Sequence, residues 1–407
     1  MQQVDDGQGQ HVSLVLDDGT VFEGIGFGAI KPVWGEVVFS TGIVGYPESL
    51  TDPSYRGQIL ALTYPLIGNY GVPPRTATGG VLDHFESDRI QVSGLVVSTL
   101  SRTPSHWSAV SSLDEWMCAE GVPGIEGVDT RALTQRLRAR GVMSGRIVAH
   151  AQSSTEPEPD AYDPRRLVSS VSVREPRLLR AERGRGLTIG VLDCGVKNNI
   201  LRLLLERGAD VLRMPWDADP LAATPRIDGL IISNGPGDPK DVPESVRVTR
   251  RVLDHGQPTF GICFGSQILA LAAGADTYKL PYGHRGQNQP CIDLETGRCF
   301  ITSIVFSSIG SSTPWASAVA PSAIASFASA RLGACTEARR PEERACSISA
   351  FAISGDRRGS AGIGARHHAM SSSISLISRE PRSRARWTDR RASSGLAGNR
   401  SRLRSGG

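Results

Sequence analysis

Residues 258–274 read PTFGICFGSQILALAAG. The opening residues suit a buried strand and QILALAAG suits a helix, so the chain must turn sharply at Cys263. A residue at such an apex is strained and needs small neighbours. Gly261 and Gly265, two residues to either side, allow that close approach. The pattern is the cysteine counterpart of the G-x-S-x-G nucleophile elbow. A helix N-terminus favours a thiolate, and the Phe264 backbone N–H is expected to face a developing oxyanion. A lone cysteine on a core strand is ordinarily an inert small hydrophobe. The glycine frame and the helix start at Gln267 select the nucleophile instead, which makes Cys263 the candidate for acyl transfer.

Upstream of this stretch, strands and helices alternate. LTIGVLDCG (187–195), ADVLRMPW (209–216) and DGLIISNGPGDP (228–239) read as strands, and NNILRLLLERG (198–208) and ESVRVTRRVLDHG (244–256) as helices. Such alternation implies a parallel sheet with right-handed crossovers and ligands at the carboxyl ends of its strands. Two chemically loaded turns, Asn234–Pro239 and Gly261–Gln267, fall at such ends. In SNGPGDP two glycines free backbone N–H groups and two prolines stiffen the loop, so it is a candidate second oxyanion donor and amide binder.

The first half has a different texture. VSLVL, the Asp17-Asp18-Gly19 turn and VFEGIGF form a hairpin signal over 11–27. GEVVFSTG, Gln58–Tyr64 and Ile90–Val97 add strands, and HWSAVSSLDEWMCAEG and DTRALTQRLRARG carry helical periodicity. Asp129 or Thr130 suits the N-cap of the second helix. The fold class is therefore α/β. A mixed, strand-rich domain at 1–150 leads through a linker at 151–186, rich in Pro, Ser and charge, to a parallel sheet flanked by helices at 187–303. The sheet is incomplete at its C-terminal end. From 304 to 407 no period is sustained, and an Arg/Ser/Ala-rich segment reads as disordered.

Composition supports that division. The 407 residues hold 45 Lys and Arg against 41 Asp and Glu, for a net +4. Residues 304–407 contain 16 Arg, no Lys and 6 acidic residues, so they carry +10 and the first 303 residues carry −6. The basic balance belongs to the tail, and it lacks the interleaved aromatics and fold pattern of a nucleic-acid binder, so no nucleic-acid partner is expected. The seven cysteines have no C-x-x-C spacing, which argues against a disulfide framework or a zinc site. The N-terminus lacks a basic, then apolar, leader and no run is long enough to span a bilayer. A reducing cytoplasm and no membrane partner are expected.

SNGPGDP followed by FGICFGSQILALAAGA resembles the class I (triad) glutamine amidotransferases. GEVVFSTGIVGYPESLTDPSYRGQILALTYPLIGNYG (35–71), GVDTRALTQRLRARGVMSGRI (127–147), LDCGVKNNI (192–200) and LPYGHRGQNQP (280–290) resemble the small subunit of carbamoyl-phosphate synthetase. The resemblance covers roughly residues 12–303. It implies that Cys263 attacks the carboxamide of L-glutamine to give a γ-glutamyl thioester and ammonia. It also implies that Gly235 and Phe264 supply oxyanion donors, and that Ser54, Gly237 and Gln267 bind the glutamine. Ammonia would pass to a large synthetase subunit for arginine and pyrimidine synthesis. ATP and Mg would bind that partner, with no cofactor or metal on this chain, which shows no P-loop.

The family's Q-x-H-P-E and Q-N-H-G-F motifs are absent. After Cys263 the histidines are His284, His367 and His368, none followed by Pro-Glu. A cysteine nucleophile needs a proton acceptor, so the alternative is a catalytically dead, partner-binding subunit. The abrupt loss of pattern, with the Arg/Ser/Ala/Gly bias of GC-rich DNA read out of frame, points to a shifted reading frame near codon 303, the rival being a real divergent tail. The missing later strands would leave a sheet edge uncovered.

Overall fold

The first half runs through β1 (His11–Leu16), β2 (Val21–Gly28), β3 (Val33–Ser40), β4 (Gln58–Leu62), β5 (Leu66–Ile67), β6 (Ala77–Thr78), β7 (Val81–Leu82), β8 (Gly94–Val96), β9 (Thr99–Leu100), β10 (Pro123–Glu126) and β11 (Met143–Ala149). Seven of these close into a barrel in the order β1-β11-β3-β4-β8-β10-β2. Its β3–β4, β4–β8 and β8–β10 pairs are parallel and the rest antiparallel. Closure depends on β1 meeting β11, with Val12 opposite Ala149 and Leu16 opposite Gly145. This computed structural model describes residues 9–149 and 163–279, and the backbone of strands at 289–293, 299–302, 306–309, 332–333 and 352–353.

Alternation along β4 shows how the barrel is filled. Ile59 and Ala61 join Leu14, Val37, Val96, Ile125 and Ile147 in a cluster fed by six barrel strands, with Phe22 of β2 packed against it, which places it inside. Leu60 and Leu62 point the other way, into a cluster with Leu50, Phe85, Leu113 and Trp116. β4 is thus buried on both faces, as a continuous apolar run requires. Helices α1 (Tyr46–Thr51) and α2 (Leu113–Ala119) cover the outer face, and α3 (Thr130–Arg140) sends Leu133 and Leu137 into the inner cluster. The Asp129 side chain accepts from Ala132 N at 2.9 Å, which settles the cap of α3.

The second half begins with α4 (Leu167–Val171) and β12 (Arg177–Leu179), both inside the segment expected as linker. β12 pairs antiparallel with β14 (Ala209–Pro215) and buries Leu179. At three residues it is too short to announce itself by period. β13 (Leu187–Asp193), β14, β15 (Gly229–Ile232) and β16 (Thr259–Ile262) form the expected parallel core. Helix α5 (Asn198–Glu206) covers one face, burying Ile200, Leu201 and Leu204 against Ile189, Val191 and Val211. Helices α6 (Pro243–Asp254) and α7 (Phe264–Ala272) cover the other, against Leu192, Leu230 and Ile232.

β17 (Gln289–Asp293) and β18 (Cys299–Thr302) pair with each other, and β20 (Leu332–Gly333) pairs with β17. The sheet continues past residue 303. β19 (Phe306–Ile309) pairs antiparallel with β16, and β21 (Ala352–Ile353) pairs with β19, so β16 is not an edge. The expected parallel sheet is therefore mixed at both flanks. All described residues lie in one unit, Met1–Asp356. Residues 150–162, the loop holding His284 and the tail segment with His367 and His368 lie outside the described residues. Among the described residues no helix is long and apolar enough to cross a membrane.

Candidate active site

Cys263 sits between β16 and α7 with φ 51° and ψ −107°, and it is the N-cap residue of α7. Among the described residues no other non-glycine has positive φ. Such strain persists only where the surroundings over-determine it, and the two glycines show how. A Cβ on Gly265 would lie 2.1 Å from the Ile232 carbonyl oxygen, and one on Gly261 would lie 2.5 Å from the Gly265 oxygen. The first turn of α7 is therefore pressed directly onto the end of β15. The Cys263 carbonyl accepts from Ser266 N at 2.9 Å and Ser266 Oγ at 2.6 Å, which locks the elbow. The Cys263 side chain is exposed, whereas the Phe264 side chain is 2% exposed within the sheet's core. What Phe264 can offer a ligand is its N–H, in the helical turn whose amides have no intrahelical acceptor.

Next to the elbow, β15 delivers Ser233 and Asn234, both buried. Ser233 Oγ accepts from Cys194 N at 2.9 Å and donates to Asn234 O at 2.8 Å. Asn234 Nδ2 donates to Gly195 O at 2.8 Å and to Ser54 Oγ at 3.0 Å, and Asn234 Oδ1 accepts from Lys197 N at 3.2 Å. Gly235 approaches the Cys194 carbonyl so closely that a Cβ would lie 2.3 Å from it, and Gly237 has φ 84°. Asn234 thus ties Ser54 of the barrel half to the turn that holds Gly235 and Gly237. Gln267, partly buried, stands one turn into α7.

A charged network keeps Ser54 in place. Asp52 Oδ1 accepts from Ser54 N at 2.9 Å, and Asp52 Oδ2 pairs with Lys197 Nζ at 2.7 Å. Burial opposes the Lys197 ammonium, but Asp52 outweighs it and holds the lysine pKa above its ordinary value. Glu86 of the barrel half caps α5 across the junction. Its Oε2 accepts from Asn199 N at 2.9 Å, and its carbonyl accepts from Asn198 N at 2.9 Å. Burial raises the Glu86 pKa, against the lowering by Asn199 and Lys197. At the end of β13, Asp193 is fully buried, accepts from Gly195 N and Val196 N, and pairs with Arg213 at 2.8 Å. Burial, then the Asp193 charge, pushes the Cys194 thiol far up, so it stays protonated and cannot substitute for Cys263.

The structure therefore gathers Cys263, Phe264 and Gln267 on one strand–helix junction and couples Ser54 to the Gly235–Gly237 turn beside it. Asp52, Lys197 and Glu86 are supporting residues that the sequence did not single out, and Asn234, already in a candidate turn, acquires its role as a tie to Ser54 only in the structure. An Asp-Pro step before Ser54 was the available signal, because it favours the capped turn observed at Pro53–Tyr55. Among the described residues no group of His, Cys, Asp and Glu could hold a metal ion. The histidines after Cys263 fall outside the described residues.

Comparison with known proteins matches two separate stretches of the chain. Residues 14–147 match the family model for the carbamoyl-phosphate synthase small chain, CPSase domain, and residues 190–343 match that for class-I glutamine amidotransferase. The carbamoyl phosphate synthase small chain of Pyrococcus furiosus is 49% identical over 296 residues, covering 71% of this chain and 79% of that one. The arginine-specific small chain of Aspergillus fumigatus is 48% identical over 298 residues, covering 72% and 66%. The multifunctional protein CAD of Squalus acanthias is 47% identical over 294 residues, 72% of this chain but only 13% of that protein. The chain thus spans a small part of the multifunctional relatives and most of the small chains. It belongs to the carbamoyl-phosphate synthase small chain family, with a class-I glutamine amidotransferase domain as its second half.

Proposed function

We propose that this chain hydrolyses glutamine and supplies ammonia as the small subunit of a carbamoyl-phosphate synthase. Cys263 Sγ forms a bond to the carboxamide carbon of L-glutamine, and the oxyanion of the tetrahedral intermediate takes the N–H groups of Phe264 and Gly235. The C–N bond then breaks, the nitrogen takes up the proton released by the thiol, and ammonia leaves. Water attacks the thioester, breaks the C–S bond, and releases glutamate and the free thiol. Ser54, Gly237 and Gln267 hold the substrate. Ammonia passes to a large subunit in a cytoplasmic heterodimer, where ATP and Mg bind, serving arginine and pyrimidine synthesis. The observation that carries this reading is the strained, glycine-framed elbow at Cys263, set beside the turn that Asn234 ties to Ser54.

A second reading, a docking subunit without turnover, is favoured by the absence of an H-P-E motif anywhere in the sequence. Glutamate release by the full chain with its large subunit, compared with Cys263→Ala, separates them. Turnover lost in the variant supports the enzyme, and no turnover with an intact complex supports the docking subunit. Resequencing across codon 303 tests the origin of the atypical tail. A one- or two-base change that restores an H-P-E motif identifies a shifted frame, and an uninterrupted frame rejects it.

A further inference from the structure

A cleft of about 450 Å³ opens where the barrel half meets the second sheet. Arg89 and Gln91 line it from one side, and Arg174, Arg177 and Arg213 from the other. Asp88 is the one carboxylate in the lining. Arg213 is committed to Asp193, at 2.8 Å. Arg174 and Arg177 have no ion-pair partner among the described residues. Arg89 spends one donor on Ser170 O at 3.1 Å. Burial, and after it the Arg89 charge, disfavours the cation of nearby Arg56.

Gln91 is a fixed part of the cleft wall. It is 3% exposed, and its Nε2 donates to Ser87 Oγ at 2.9 Å. The Ser87 hydroxyl in turn donates to Thr51 O at 2.6 Å, so its proton is committed and the amide orientation is fixed. Gln91 Oε1 is left buried with no hydrogen-bond partner among the described residues. That oxygen has no accessible surface toward the cleft, so it belongs to the wall and not to the ligand contacts.

We infer that this cleft binds a small phosphate-bearing molecule, with Arg89, Arg174 and Arg177 as counter-charges. A phosphate group carries close to two negative charges at neutral pH and matches the two unpaired guanidiniums better than a single carboxylate does. The volume exceeds that of a bare ion and falls in the range of small-molecule sites, which favour domain junctions. The site is independent of glutamine chemistry, yet Pro53 lines it and adjoins Ser54. A ligand there would brace the turn that Asn234 engages.

The test is calorimetric titration of the full chain with inorganic pyrophosphate at fixed ionic strength. It is repeated on Arg174→Ala/Arg177→Ala and on Arg138→Ala, an exposed arginine of α3 that does not line the cleft. The expected result is one saturable site, weakened about ten-fold or more in the double variant and unchanged in Arg138→Ala. Pyrophosphate raises the melting temperature of the native chain and not of the double variant, whose own melt shows that it folds. Absence of saturable binding, equal binding in the double variant, or equally tight binding of succinate overturns the assignment.

Discussion

Replacing Gly265 with alanine tests the elbow without touching the thiol. The added Cβ would stand 2.1 Å from the Ile232 oxygen, 2.6 Å from its carbon and 2.8 Å from the Ser233 oxygen. Ordinary carbon contacts begin beyond about 3.5 Å, and all three atoms are backbone, so no rotamer change relieves the clash. The first turn of α7 must move off β15 by roughly 1 Å, at a cost of about 1–3 kcal/mol for an overpacked core. A displacement of that size at a reacting group costs about 10²-fold in rate. Urea unfolding reads the first quantity, and the rate of Cys263 acylation by glutamine reads the second. A Gly265→Ala chain with native stability and native acylation rate would refute the claim that backbone contact at Gly265 sets the nucleophile.

Other consequences follow from the junction between the halves. Asp52→Ala leaves Lys197 partly buried without its partner, at about 2 kcal/mol, and releases Ser54 N. A double-mutant cycle with Lys197→Met in urea unfolding should show clear coupling, and additive effects would mean that the pair does not hold the junction. Glu86 has a folded-state pKa above its unfolded value. Its contribution is therefore fully present below the unfolded pKa and is lost as pH rises through the folded pKa. Glu86→Gln should gain stability relative to the native chain as pH climbs from about 4, and a constant difference across that range would contradict the raised pKa.

The elements of the second half were largely legible because α5, α6 and the four parallel strands carry strong local periods. The elbow was legible for the same reason, since its glycines and cysteine are adjacent in sequence. The barrel was not. Each of its strands shows alternation, but closure is decided by β1 finding β11 across more than a hundred residues, and nothing local encodes that pairing. β12 hid in a charged segment because a three-residue edge strand needs only Leu179 to be buried. The site's support was illegible for a similar reason. Asp52, Glu86 and Lys197 are ordinary charged residues until folding brings the barrel half against the loop before α5, and only Pro53 and its flanking Asp52 hinted at a turn.

Whether Cys263 attacks glutamine is decided by trapping its acyl intermediate. Full chain mixed with radiolabelled L-glutamine is quenched in acid and counted for protein-bound label. A nucleophilic Cys263 gives label that hydroxylamine removes and that Cys263→Ala abolishes, with or without turnover. No bound label on a folded chain, or label that persists in Cys263→Ala, would contradict it.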